Sequence, residues 1–144
     1  MSARRCYLPL MPNLILYTDG GSRGNPGPAA IGAIIQDESG RVLHKVARAI
    51  GRATNNQAEY RALILGLEEA AKLGVTQLEV RMDSELIVKH LNGQYRVRDA
   101  GLQPLHKRAS ELLRKFPLVT IKHIPREANK RADALVNEVL DATA

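Results

Sequence analysis

The chain changes its hydrophobic period at Thr54, and that change limits the possible folds more than any other feature. Before it lie three short β-rich segments; after it, helical and strand-like periods alternate. Leu14–Thr18 (LILYT) is a continuous apolar run, and Ala29–Gln36 (AAIGAIIQ) is a second. DESG at 37–40 reads as a turn, and Arg41–Ile50 returns as a third strand. Connections this short predict an antiparallel meander. In TNNQAEYRALILGLEEAAKLG, Thr54 and Gln57 have the spacing of a capping box. Ala62, Leu63, Leu67, Ala70 and Leu73 then recur at helical spacing until Gly74 closes the element. Gln77–Met82 alternates as a strand, and SELIVKHL reads as a short helix stopped by Asn92-Gly93. Pro104–Phe116 is predicted helical, Leu118–Ile124 a strand and Ala128–Leu140 a last helix. The order β-β-β-α-β-α-α-β-α predicts an α/β domain, with a mixed sheet covered by helices.

Composition narrows the class further. The 144 residues suit one domain, expected over 14–144, with 1–13 as a leader outside it. With four Tyr, one Phe and no Trp, the core must be aliphatic. Lys and Arg total 21 against 15 Asp and Glu, a net +6 that fits either an anionic partner such as nucleic acid or solubility alone. A single cysteine, Cys6, excludes an intrachain disulfide and agrees with a reducing, cytoplasmic setting. No apolar run approaches the ~20 residues of a membrane span, so no membrane partner is expected. No heptad or apolar seam appears, which leaves a monomer as the expectation.

Four acids stand where a buried element would deliver them. Asp19 ends the first apolar run and Asp83 directly follows QLEVRM. Glu59 shares a helical stripe with Ala62, Leu63, Gly66 and Ala70, on the face expected to meet the sheet. Asp133 shares one with Val136 and Leu140. Taken singly, each has an ordinary structural role, as a cap, a turn former, a dipole partner or half of an ion pair. Taken together, neighbouring strands would make them converge, and converging carboxylates need a counter-charge. An oxygen-only ligand set favours Mg²⁺ or Mn²⁺ over zinc. Two such ions about 4 Å apart can activate a water and stabilise the leaving oxygen of a phosphodiester.

At these residues the sequence resembles ribonuclease H of type I. The family's landmarks stand in order as TDGGSRGNPGPAA, TNNQAEYRAL, DSELIV and HIPREANKRADALVN, over about Leu14–Val139. The resemblance implies the ribonuclease H-like fold: a five-stranded mixed sheet, an antiparallel meander plus two parallel strands, flanked by helices. It implies Asp19, Glu59, Asp83 and Asp133 as catalytic acids holding two Mg²⁺, with Mn²⁺ as substitute. The implied reaction is endonucleolytic hydrolysis of the RNA strand of an RNA–DNA hybrid, leaving 5′-phosphate and 3′-hydroxyl ends.

Substrate contacts follow from the same resemblance. Gly20 and Gly21 would let backbone approach the hybrid's minor groove, and Asn25 matches a position that touches nucleic acid. Thr54, Asn55 and Asn56 sit at a helix N-terminus suited to anions, and Arg52 matches a phosphate-pocket arginine of some members. The segment 92–103 is too short for the basic helix and loop of many members, which resembles a compact branch; binding is then either weaker or carried by Arg96, Arg98 and Lys89 instead. His123 precedes Asp133 by ten residues, as a proton-transfer and product-release histidine does in many members. Here it lies in a strand-like segment, so a structural imidazole is the competing reading, and Arg126 is the other residue placed to assist. Double-stranded RNA and RNA joined to DNA are further candidate substrates. A non-catalytic nucleic-acid-binding domain of the same fold, and a strand-transferase-like nuclease, are the competing functions.

Overall fold

The strand that carries the first apolar run does not stop at Asp19. In the computed structural model, which describes residues 13–143, strand β1 spans Asn13–Ser22 and carries Asp19, Gly20 and Gly21 inside it. The leader expected at 1–13 lies outside the described residues except Asn13, which faces Gln77 at the start of β1. The chain turns only at residues 23–26, because Gly20, Gly21 and Ser22 still pair with Ile31, Ala30 and Ala29.

Strands β2 (Gly27–Gln36) and β3 (Val42–Ala53) complete the antiparallel meander. Strands β4 (Gln77–Met82) and β5 (Leu118–His123) add to the free edge of β1 in parallel. The sheet order is β3-β2-β1-β4-β5, the ribonuclease H-like arrangement, with β1 at its centre. A parallel neighbour requires a crossover, and helix α1 (Asn55–Lys72) supplies it between β3 and β4. Helix α2 (Glu85–Leu91), helix α3 (Gln103–Leu113) and helix α4 (Lys130–Ala142) complete the chain.

Local chemistry explains the ends of α1. Gln57 N–H donates to Thr54 Oγ1 at 3.1 Å, and Thr54 N–H donates to Gln57 Oε1 at 2.9 Å, the capping box read from the sequence. Of the predicted stripe, Ala62, Leu63, Leu67 and Ala70 are buried, whereas Leu73 is exposed because it is the C-cap after Lys72. Leu63, Leu67 and Ala70 pack with Leu14, Leu16, Ile35, Leu78 and Val80 of the sheet, and Ala62 packs with Ala29 and Ile31. Gly66 lets the helix come close: a Cβ there would lie 2.8 Å from Leu16 Cδ1 and 3.0 Å from Thr18 Cγ2. Helix α4 covers the other face, with Val136 and Leu140 packed on Ala30.

Helix bounds shift by one to three residues from the sequence reading, and two of the shifts have a clear cause. Helix α3 ends at Leu113 instead of Phe116, because Phe116 turns into the core and Pro117 disfavours helix at the residue before it. The last helix begins at Lys130 instead of Ala128, after a 3₁₀ turn over Arg126–Asn129 in which Asn129 is buried. Among the described residues no helix is long and apolar enough to cross a membrane.

Candidate metal centre and nucleic-acid interface

Register alone brings two of the acids together. Thr18 of β1 pairs with Met82 of parallel β4, so Asp19 and Asp83 each lie one residue beyond the same rung. Helix α1 brings Glu59 to them from above the sheet. The link is a backbone bond: Gly20 N–H donates to Glu59 Oε1 at 3.1 Å. That contact needs glycine, since a Cβ on residue 20 would lie 2.3 Å from the Ala58 carbonyl oxygen. Gly20 is buried and its N–H is already engaged by Glu59, whereas Gly21 remains partly open.

One carboxylate oxygen each from Asp19, Glu59 and Asp83 lies within 4.8 Å of the others. Asp133 stands outside that triad on the first turn of α4, its side chain 35% exposed, but it reaches Asp19 closely enough to act on its titration. Arg126 Nη2 lies 4.0 Å from Asp133 Oδ1 at the rim. His123 is the last residue of β5, paired with Met82 and exposed beside Asp83.

Burial and crowding both oppose ionisation here. Burial is the largest cause that pushes the Asp19 carboxyl up to about 8; the charges of Asp83 and Asp133 add to it, and Arg126 acts against it. Burial likewise holds Glu59 well above the ordinary carboxylate range, followed by the charges of Asp19 and Asp83, with the Gly20 N–H opposing. The donors are three hard oxygens with no sulfur or imidazole among them, so the cluster fits a divalent cation of the Mg²⁺ or Mn²⁺ kind. Such an ion must displace the proton that Asp19 holds near neutral pH. Its affinity should therefore rise with pH until about 8. Calorimetric titration with Mn²⁺ is expected to give roughly tenfold or tighter binding at pH 8 than at pH 6, with proton release. Equal affinity at the two pH values would refute this coupling.

The expected substrate residues form two groups around the triad. Asn25 Oδ1 accepts the Asn55 N–H at 3.0 Å, and Asn55 Oδ1 accepts from Ser22 N–H at 2.9 Å and from Ser22 Oγ at 3.1 Å. The turn at 23–26 is thereby tied to the N-terminus of α1. These bonds use the amide oxygens and not the Nδ2 groups. Thr54 is the N-cap beside them, and Arg52 is exposed near the end of β3. Asn56 belongs to the second group: it lines a cavity of about 530 Å³ with Arg96, Arg98, Tyr95 and His90. Lys89 lies over the Tyr95 ring, 4.9 Å from its centroid.

One residue at the site was missed in the sequence. Asn129 is 1% exposed, and its Nδ2 donates to the Thr18 carbonyl at 2.9 Å and to Asp83 Oδ2 at 3.0 Å. Within REANKRAD it reads as an ordinary helix-start residue, and only the folded chain brings Thr18 and Asp83 to it.

Comparison with known proteins agrees with this geometry. The family model described as "Reverse transcriptase-like" matches residues 17–139. Ribonuclease HI of Halobacterium salinarum is 50% identical over 125 residues, covering 87% of this chain and 63% of that protein. The chain therefore spans a little under two thirds of that relative's length. The crystal structure of the Halobacterium salinarum RNase H1 superposes with a TM-score of 0.88 at 48% identity, covering 90% of this chain and 98% of that one. LC11-RNase H1, solved in complex with an RNA/DNA hybrid, gives a TM-score of 0.86 at 47% identity, again covering 90% and 98%. At this identity and coverage, the chain belongs to the type I ribonuclease H family.

Proposed function

We propose that the protein is an endonuclease that hydrolyses the RNA strand of RNA–DNA hybrids, leaving 5′-phosphate and 3′-hydroxyl ends. The observation that carries this reading is the triad itself: three carboxylates with one oxygen each within 4.8 Å of the others, in a setting that raises the pKa of Asp19 and Glu59. Carboxylates this close need either a retained proton or a cation to offset their repulsion, and a divalent cation is the counter-charge that also serves phosphodiester hydrolysis. Asp19, Glu59 and Asp83, with Asp133 at the open side, are the residues that would hold two Mg²⁺, or Mn²⁺ in their place. When bound, the ions supply an activated water and charge stabilisation at the leaving oxygen. In the reaction, water oxygen joins phosphorus and the bond from phosphorus to O3′ breaks.

The hybrid as substrate is supported by the LC11 relative, whose crystal structure contains one. Gly21, Asn25, Asn55 and Asn56 are proposed to meet the strands near the ribose hydroxyls, as backbone and amide groups do in RNA recognition. Gly20 joins them through its position in β1, although its N–H is committed to Glu59. Arg52 and Thr54 flank the N-terminus of α1, where a phosphate is favoured. Arg96, Arg98 and Lys89 take the place of the basic protrusion of larger members. His123 and Arg126, both at the exposed rim, are proposed to assist proton transfer and product release. We take the acting unit to be a monomer in the cytoplasm.

The test is cleavage of an end-labelled hybrid with Mg²⁺ or Mn²⁺, beside duplex RNA and duplex DNA. Cutting confined to the RNA strand of the hybrid is the expected result. Cutting of duplex RNA as well would widen the substrate class. A hybrid that is bound but left intact with either metal would replace this reading with a non-catalytic binding domain.

A further inference from the structure

Asn129 occupies the N-cap of α4, where an asparagine ordinarily turns its side-chain oxygen to the first free helix N–H groups. It makes no such bond. Its amide instead points into the molecule, with Nδ2 donating to the Thr18 carbonyl and to Asp83 Oδ2. The orientation is fixed by its partners: both are acceptors, so the opposite amide rotamer would set oxygen against oxygen. The arrangement also has a cost, because Asn129 Oδ1 is left buried without a partner among the described residues. A residue that only filled this space would do better as an apolar side chain.

Asn129 touches each element that supplies an aspartate to the site. Thr18 directly precedes Asp19 on β1, Asp83 follows β4, and Asp133 lies one helical turn after Asn129 on α4. We infer that Asn129 is a positioning residue for the metal centre: it holds one oxygen of Asp83 so that the other faces Asp19 and Glu59, and it keys α4 to the sheet. This inference rests on the metal-dependent reading above. A carboxylate with one oxygen held by an N–H donor keeps a single orientation, and such outer partners of metal ligands typically contribute 10–100-fold in metal affinity or activity.

The experiment is Mn²⁺ titration of wild type and Asn129→Leu by calorimetry, without substrate, beside the metal dependence of hybrid cleavage. Leucine keeps the branched shape at a somewhat larger volume and removes both donated bonds. Mn²⁺ affinity is expected to fall roughly 10–100-fold, and the metal concentration for half-maximal rate to rise in step, with kcat recovering at saturating metal. Affinity within twofold of wild type, with only a lowered melting temperature, would overturn the inference and leave Asn129 a packing residue. A second readout needs no variant: the Asn129 side-chain amide resonances of wild type should shift on Mg²⁺ addition and saturate with the metal. Unmoved resonances at saturating Mg²⁺ would overturn it equally. If wild type takes up neither ion, the metal-centre reading itself falls, and this inference falls with it.

Discussion

Asp19→Asn is expected to abolish cleavage of the RNA strand and, in the same protein, to stabilise the metal-free fold. The first effect follows from removing a charged oxygen from a triad whose members lie within 4.8 Å. A loss of about a thousandfold or more is expected, about 4 kcal/mol of transition-state stabilisation. The second follows from titration. The Asp19 carboxyl is pushed up to about 8, first by burial and then by Asp83 and Asp133. A raised carboxylate pKa means that the native state holds its proton more tightly than the unfolded chain does. Its contribution to stability is complete below the ordinary value of 3.8 and is lost as pH rises through about 8. Asparagine carries no such charge. The variant and wild type should therefore melt together near pH 4 and diverge as pH rises, the variant gaining on the order of a few kcal/mol by pH 8. Mg²⁺ should then raise the melting temperature of wild type and not of the variant. Thermal melts at several pH values, with and without Mg²⁺, measure both parts. Identical melting curves across the range would remove the electrostatic account of the site.

Gly20→Ala is expected to be the most damaging single-methyl change at the site. The added Cβ would lie 2.3 Å from the Ala58 oxygen, 2.4 Å from its carbonyl carbon and 2.7 Å from the Glu59 nitrogen. All three are backbone atoms of α1, so no side chain can rotate away. The helix must retreat from β1, at a cost of about 3 kcal/mol or more, and Glu59 retreats with it. Urea unfolding and Mn²⁺ titration should both report the change. Gly21→Ala is the internal control, because the nearest atom to its added Cβ is Val136 Cγ1 at 3.9 Å, an ordinary contact. Equal stability of the two variants would show that α1 does not depend on this close approach.

Much of the architecture was legible because it depends on neighbours in sequence. Thr54 and Gln57 cap α1 through bonds three residues apart, and Gln77–Met82 alternates as β4 does in the fold. The aliphatic stripe of α1 needs only a period of 3.6 to be recognised. The order of strands and helices, and with it the mixed sheet, follows from these local patterns. The four acids stood out because charge on an apolar stripe or at a strand end is conspicuous.

What lay beyond the sequence depends on residues far apart. Gly20 and Gly21 lie beyond the apolar run Leu14–Thr18, yet pairing with β2 keeps them in the strand. Nothing near Asp133 says that it stands outside the close triad, since that depends on how α4 crosses the sheet face. Nothing near Asn129 says that it reaches Thr18, 111 residues away, and Asp83, 46 away. Hydrogen bonding and periodicity within an element are local, so the sequence alone determined which elements form and which acids they carry. Strand register and helix approach come from packing the whole chain at once, and only that packing decided which acids meet and what holds them in place.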